Sequence, residues 1–233
     1  MGGRLPLSVV VNTLNEEKNL PFALRSVQSW ADELLVCDMH SDDRTVEIAR
    51  GFGATVCFHK RMGFADPARA FAISQTRHEW VLVLDADELI PKPLSETIRR
   101  VLHSGDAQVY RLPRLNYLLG APIRHLGWGP DQDAQLRLFN KRAVRVTADI
   151  HSFFHVLPGV REERLPYSEG QAIVHFNYVG LTHFIEKLNR YASIEAQQAR
   201  ERGERASFFR GTLAAAREWA SRYFRNGGSR EGW

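Results

Sequence analysis

The sequence has few cysteines and no long hydrophobic run, and both absences limit what the protein can be. Its two cysteines, Cys37 and Cys57, lie inside apolar stretches, where a thiol behaves as a small hydrophobic side chain, so we expect neither a disulfide framework nor a cysteine metal site. No stretch approaches the roughly 18 apolar residues of a membrane span, and the first residues do not have the pattern of a signal peptide. We therefore expect a cytoplasmic protein.

Two sequence motifs that bind phosphate groups are also missing. No G-x-G-x-x-G follows the first apolar run, and G-x-x-x-x-G-K-[ST] does not occur anywhere in the 233 residues. These absences exclude the dinucleotide-binding fingerprint and the P-loop. If the protein binds phosphates, a metal ion must neutralise them instead.

The first half of the chain alternates apolar runs with segments of helical periodicity. The apolar runs are "LPLSVVVNTL", "ELLVCD", "ATVCFH" and "WVLVLD", and a segment that predicts a helix follows each of them. This order predicts an α/β fold with a mainly parallel central sheet flanked by helices, because parallel strands need crossover connections that cover both faces.

The second half of the chain has a less regular pattern. "AQVYRLPRLNYLLG" and "AQLRLFNKRAVRV" indicate strands, and "GLTHFIEKLNRYASIEAQQARERG" indicates a long helix. We expect residues 1–105 to form a ligand-binding half, residues 106–200 to form a second half of the same domain, and residues 201–233 to form an amphipathic, basic C-terminal helix.

Polar side chains follow the predicted strands of the first half. Thr13 and Asn15 come after the first strand, Asp38 after the second, and Asp85 and Asp87 after the fourth. Folds of this class bind ligands at the carboxyl ends of their strands. Paired carboxylates repel each other unless a cation lies between them or water surrounds both, and Mg²⁺ or Mn²⁺ prefers oxygen ligands together with substrate phosphates. The pattern favours such a metal site, and the alternative is a solvated turn that caps the next helix.

Several ordered segments resemble a known family. "VVVNTLNEEKNLPFALRSV", "LLVCDMHSDDRTVEIARGFGATV" and "WVLVLDADELIP" resemble the nucleotide-sugar-binding half of inverting family 2 glycosyltransferases with the GT-A fold. "LPRLNYLLGAPIRHLGWGPDQDAQLRLFNK" and "IVHFNYVGLTHFIEKLNRYASIEA" are similar to the subgroup that contains lipopolysaccharide-core β-glucosyltransferases and related surface-polysaccharide enzymes. The resemblance spans about residues 6 to 200. It implies that the first half binds the nucleotide sugar and that the second half faces the acceptor.

The resemblance also implies roles for individual residues of the first half. Thr13, Asn15 and Glu16 would line the nucleotide pocket, and Asp38 would contact the base. Asp85 would contact the ribose and the metal, Asp87 would bind the metal, and Arg69 would bind a phosphate. A histidine of the second half could add a metal or diphosphate ligand, and the candidates are His151, which we prefer, His155 and His175.

The catalytic base is where the sequence departs from the family. Related members carry a His-Glu pair where this chain reads "DIHSFFH", so Ser152 replaces the expected carboxylate. Asp133 and Asp131, in "GWGPDQD", are the nearest replacements, and the alternative is that both only cap turns of a loop.

The reaction that the resemblance implies is a metal-dependent, inverting transfer of a hexose, with glucose expected, from a UDP-linked donor. The acceptor would be a glycan, a lipid-linked molecule or another cell-surface acceptor, and we expect no nucleic-acid partner. Two alternatives stay open, namely a nucleotide-sugar-binding scaffold without a catalytic base and a nucleotidyltransferase.

The C-terminal tail is basic and amphipathic. Between Arg200 and Glu231 eight arginines face four glutamates. The segment "ASFFRGTLAAAREWASRYFRNGG" places a stripe of apolar residues on one side of a helix, with arginines elsewhere. Such a helix either binds a membrane surface peripherally, here at the inner face of the membrane, or packs against protein.

Overall fold

The fold is given by a computed structural model that describes residues 3–61, 66–104, 106–147, 154–178, 180–204 and 207–231. The first half alternates strands and helices as predicted, whereas the second half is mainly strands followed by two helices. The strands are β1 Leu5–Thr13, β2 Ala31–Asp38, β3 Thr55–Phe58, β4 Trp80–Asp85, β5 Glu88–Leu89, β6 Val109–Leu118, β7 Ala121–Pro122, β8 Ala134–Asn140, β9 Val144–Val146, β10 Phe154–Val156, β11 Glu162–Arg164 and β12 Ile173–Tyr178. The helices are α1 Leu20–Val27, α2 Thr45–Gly51, α3 Asp66–Ser74, α4 Lys92–Ser104, α5 Leu181–Glu201 and α6 Phe208–Ala220.

The strands of the first half pair in parallel, which confirms the expected α/β class. β1 lies between β2 and β4, and β3 pairs with the outer edge of β2, so that the order is β3-β2-β1-β4. The strands after β4 add antiparallel neighbours, because β8 pairs with β4 and β6 pairs with β8. The central sheet is therefore mixed. The parallel strands β3-β2-β1-β4 are those that the sequence predicts, and β11 also pairs in parallel with β6.

Two hydrophobic clusters cover the two faces of the parallel strands. On one face, alternate residues of β1 pack against α1 and α4 through side chains such as Leu24 and Ile98. On the other face, Val81 and Val83 of β4 pack against α3 through Ala68 and Ala72. Side chains alternate between the faces along each strand, so the period of two fixes which helix each strand residue contacts.

The chain divides into two compact units. The first consists of Met1–Arg114 and Ala134–His175, and the second of Leu115–Asp133 and Phe176–Trp233. The residue at the expected boundary, Gly105, lies outside the described part, and the three-part division from the sequence stays a prediction. Within the described residues, no helix has the length and apolar content needed to cross a bilayer.

Candidate functional site

Asp85 is the last residue of β4, and two buried arginines bind its carboxylate. Arg69 of α3 donates a hydrogen bond to Oδ1, and Arg137 of β8 donates one to Oδ2. Asp85 follows Val81 and Val83 in the alternation of β4, so its side chain lies on the face that α3 covers. Burial raises the pKa of Asp85, but the charges of Arg137 and Arg69 lower it by more, so its pKa lies well below its usual range. Asp85 is therefore an anion held between two cations.

Arg137 lies at a β-bulge of β8. The neighbouring residues Tyr110 and Arg111 of β6 pair with Leu138 and Leu136, so Arg137 has no partner in the ladder. A bulge bends its strand and turns the extra side chain in a new direction. The sequence carries a trace of this arrangement, since Arg137 is a charged residue inside the apolar run "LRLF".

Glu88 is a second buried carboxylate beside Asp85. Its Oε1 accepts hydrogen bonds from Arg137 at 2.8 Å and from Arg114 at 3.2 Å, and its Oε2 accepts one from the amide of Asp85 at 3.0 Å. Three arginines, counting Arg69, thus converge on two carboxylates. Arg69, Arg114 and Arg137 are called the arginine cluster below.

Asp87 lies next to a histidine from a distant part of the sequence. Oδ2 of Asp87 is 3.5 Å from Nε2 of His175, which lies on β12 and is buried. His175 is brought there because it pairs with Glu88 in the antiparallel register of β12 and β5. Of the two candidate histidines that the structure describes, His175 is the one at the aspartate motif.

Of the other two candidate histidines, the structure describes only His155. His155 is exposed on β10 and contacts the hydroxyl of Thr147 at 3.4 Å. His151, our preferred ligand, and Ser152 lie outside the described residues. Searched over the described part of the chain, the histidines, cysteines and acidic residues form no group of three that could hold a metal ion by themselves.

The carboxyl ends of β1 and β2 are joined through Asp38. Thr13 and Asp38 are register partners, and the Thr13 hydroxyl donates to Oδ2 of Asp38 at 2.9 Å. The amide and hydroxyl of Ser41 donate to the same carboxylate at 2.8 and 2.6 Å. Asp38 is fully buried and accepts all three bonds. The structure thus uses Asp38 to hold this edge, and its contact with a nucleotide base stays a prediction.

The loop after β1 is held to the loop after β2 by alternating hydrogen bonds. Asn15 adopts a left-handed conformation. Its side-chain oxygen accepts a hydrogen bond from the backbone amide of Asp42, and its backbone amide donates one to the hydroxyl of Ser41. The amide of Glu16 donates to the hydroxyl of Thr45 at 2.8 Å. Asn15 is exposed and Glu16 is half-buried. Both predicted nucleotide-pocket residues therefore lie on a loop that its neighbour fixes.

Asn12 is a residue that the sequence did not single out. It pairs with Asp85 in the parallel register of β1 and β4, and only 8% of it is exposed. Among the residues that the structure describes, neither Oδ1 nor Nδ2 of Asn12 finds a hydrogen-bond partner, and the same holds for the buried Nε of Arg137. Unpaired buried polar atoms cost about 1–3 kcal/mol each. The edge beside Asp85 thus has unused hydrogen-bonding capacity.

The two candidate bases lie in the second unit. Asp131 is exposed, whereas Asp133 is half-buried, and its Oδ2 accepts a hydrogen bond from Nδ2 of Asn116 at 2.7 Å. The same amide group donates to the backbone oxygen of Trp128 at 2.8 Å. Of the two carboxylates, Asp133 is thus the less exposed. The guanidinium of Arg222 lies 4.8 Å from the ring centroid of Trp128, so one face of that ring is covered.

The comparison with family models identifies one family. The model of the family described as Glycosyl transferase family 2 matches residues 8–155. The lipopolysaccharide core biosynthesis glycosyltransferase LpsC of Rhizobium meliloti (strain 1021) is 27% identical over 233 residues, which cover 96% of this chain and 83% of LpsC. An uncharacterized glycosyltransferase of Rickettsia typhi is 28% identical over 226 residues, which cover 91% of this chain and 74% of that protein. Among solved structures, S. aureus TarS 1-349 in complex with UDP-GlcNAc overlaps with 51% of this chain and 37% of its own, at 23% identity and a TM-score of 0.46.

Proposed function

The chain belongs to glycosyl transferase family 2 and is a glycosyltransferase, and from that premise we propose that it transfers a hexose from a nucleotide diphosphate sugar to a cell-surface glycan. UDP-glucose is the donor that we propose to test first, and the transfer inverts the anomeric centre. The name of LpsC, which refers to lipopolysaccharide core biosynthesis, supports an acceptor of that class.

The observation that carries the proposal is the arrangement of charge after β4. The three guanidinium groups of the arginine cluster converge on Asp85 and Glu88. Asp87 stands outside this cluster, beside His175. A planar guanidinium group can donate two parallel hydrogen bonds to two oxygens of one phosphate. Ligands of parallel sheets bind at the carboxyl ends of the strands, where this cluster lies. A diphosphate can therefore bind the arginines, and Asn12 offers further hydrogen bonds at the same edge.

The residues present fit a divalent cation that binds together with the donor. Asp87 supplies a carboxylate and His175 an imidazole nitrogen, and the two are 3.5 Å apart. Mg²⁺ and Mn²⁺ sites commonly combine one or two protein carboxylates with substrate phosphates and water, so a set of two ligands is sufficient. When bound, the cation would offset the negative charge that develops on the departing nucleotide diphosphate. Asp85 does not fit as a ligand while both of its oxygens are bound by arginines.

Different side chains of the protein then have different roles in the transfer. Asp87 and His175 hold the cation, and Arg69 and Arg137 bind and stabilise the diphosphate as it leaves. A carboxylate must remove the proton from the acceptor hydroxyl that attacks the opposite face of the sugar. We propose Asp133 for this role, with Asp131 as the alternative.

The test of this proposal is the binding of UDP measured by calorimetry with Mn²⁺ and with EDTA. We expect the unmodified protein to bind UDP more tightly with Mn²⁺ than with EDTA. In the presence of Mn²⁺, Asp87→Asn should bind UDP at least about tenfold more weakly than the unmodified protein. Asp106→Asn is the matched control, because Asp106 is an exposed aspartate outside the cluster. An affinity that does not depend on Mn²⁺, or an equal effect of both substitutions, contradicts the proposal.

A further inference from the structure

Helix α6 is amphipathic, yet its apolar side is exposed. At 100° per residue, Phe208, Phe209, Leu213 and Trp219 fall on one side of the helix. Their exposed fractions are 82%, 84%, 51% and 61%. No residue of α6 is buried. Helices of this kind normally gain their stability by burying the apolar face, so this face is suited to a partner outside the chain.

Aromatic side chains extend this apolar face beyond the end of α6. Residues Ser221–Arg225 form one turn of π-helix, and this turn brings Tyr223 and Phe224 next to Trp219. The rings of Trp219 and Tyr223 are stacked with centroids 5.4 Å apart, and Phe224 packs edge-on against both. All three residues are exposed. Tryptophan and tyrosine are enriched at the interface between lipid and water, where an apolar ring with a polar group is favoured.

The charge of this segment is positive. Residues 207–231 contain five arginines and two glutamates. The two glutamates are engaged within the protein, since Glu218 pairs with Arg222 at 2.7 Å and Glu231 accepts hydrogen bonds from the amides of Arg124 and His125. Arg210 and Arg217 are exposed on α6. They lie about 40–60° around the helix from Leu213, at the edge of the apolar face. A row of arginines beside an exposed apolar face matches the anionic headgroups above an acyl layer.

The far end of the segment is fixed to the rest of the second unit. Asn226 accepts a hydrogen bond from the amide of Leu126 at 2.9 Å, and Arg222 donates to the backbone oxygen of Leu126 at 3.0 Å. The guanidinium of Arg222 also lies over the ring of Trp128. The aromatic face is therefore presented by a segment that is attached at its C-terminal end.

We propose that α6 and the aromatic cluster of Trp219, Tyr223 and Phe224 dock on the surface of an anionic phospholipid bilayer. The apolar face enters the boundary between headgroups and acyl chains, and the arginines bind lipid phosphates. No helix of the described chain spans a bilayer, so the contact is peripheral. The inference uses only the second unit and does not depend on the donor or the metal.

The experiment is flotation of the full chain with vesicles. We expect binding to phosphatidylcholine vesicles that contain about one-third phosphatidylglycerol, and weaker binding to phosphatidylcholine alone or at high salt. Replacing Phe208, Phe209 and Trp219 by serine should lower the partition coefficient about a hundredfold. Reversing the charge of Arg210 and Arg217 with glutamate should lower it at least about twentyfold on anionic vesicles. Because the replaced side chains are exposed, the melting temperature should change by no more than about 2 °C.

The matched control is Phe22→Ser combined with Arg50→Glu, which changes an exposed aromatic and an exposed arginine on helices of the first unit. This control should float like the unmodified protein. Equal flotation of the triple serine variant contradicts the proposal, and so does a failure of the unmodified chain to float. A different result would show that this face joins two copies of the chain instead. In that case the unmodified chain would be a dimer that does not bind vesicles, and the triple serine variant would be a monomer.

Discussion

Arg137 binds Asp85 from within a β-bulge, and the same Nη2 atom also binds Glu88. Arg137 thus lies in a buried strand and binds two carboxylates at the edge of the sheet. Arg137 is itself buried, so its charge is compensated almost entirely by these two partners. The aspartate motif after β4 is therefore part of an ion network, and a diphosphate that binds there competes with carboxylates for the arginines.

The first prediction concerns Arg137. Arg137→Met fills similar volume but leaves Asp85 and Glu88 with fewer cationic partners, so the free energy of unfolding should fall by about 3 kcal/mol. The measurement is urea unfolding at neutral pH. Arg137→Lys keeps the charge without the planar group and should lie between the two. A Met variant as stable as the unmodified protein would mean that the network contributes nothing to folding.

Asp85, Asp87 and their neighbours show which features of the site could be predicted from the sequence. Local periodicity predicts the succession of β1 to β4 along the chain, and with it the fold class and the position of the motif at a strand end. The family follows from the resemblance of the ordered segments, and the family model confirms it. The partners of the motif depend on long-range register. The contact of Arg137 with Asp85 depends on the pairing of β8 with β4, and that of His175 with Asp87 on the pairing of β12 with β5. No local pattern encodes either contact.

The same limit applies to the C-terminal segment. The sequence predicts an amphipathic helix and leaves two partners open for its apolar stripe. The expected stripe continues from Phe209 and Leu213 to Tyr223, but the π-helical turn at Ser221–Arg225 changes the register of the last residue. Whether such a face is buried depends on the packing of other elements, and in the structure it is exposed.

A second prediction concerns Glu33, at the opposite end of the parallel strands. Its buried carboxylate accepts hydrogen bonds from the hydroxyl of Ser8 and from the amide of Arg77, and it pairs with the Arg77 side chain at 3.2 Å. Glu33→Ala leaves these buried donors unpaired and should lower the free energy of unfolding by about 2–3 kcal/mol. UDP affinity should be unchanged, because Glu33 lies at the amino end of its strand. Calorimetry on the folded variant checks this, and a large loss of affinity would contradict it.

A third prediction uses the pKa of Asp43. Burial raises this pKa, but the hydroxyl and amide of Thr45 and the amide of Glu17 donate to the carboxylate and lower it by more. A lowered pKa in the folded state means that the carboxylate stabilises the protein above its unfolded pKa and loses that effect as pH falls. Asp43→Ala should therefore cost about 1 kcal/mol at pH 7 and less below about pH 4.

The measurement for Asp43 is chemical unfolding of both proteins across that pH range. Asp106→Ala is the control, since Asp106 is exposed and lies outside this loop. A stability difference for Asp43→Ala that is the same at low and neutral pH would show that the carboxylate charge has no part in holding the loops together.

The last prediction separates the two candidate bases, and it rests on their surroundings. Asp133 is held by Asn116, whereas Asp131 is exposed. If Asp133 removes the acceptor proton, Asp133→Asn should lower kcat by about a hundredfold or more while the KM for the donor stays the same. Asp131→Asn serves as the matched control and should change neither value. Asn116→Ala should lower kcat less than Asp133→Asn does, because it loosens the carboxylate without removing it. The reaction is followed by UDP release from UDP-glucose with an added glycan acceptor. A normal kcat for Asp133→Asn with a loss for Asp131→Asn reverses the assignment, and normal values for both exclude this loop as the source of the base.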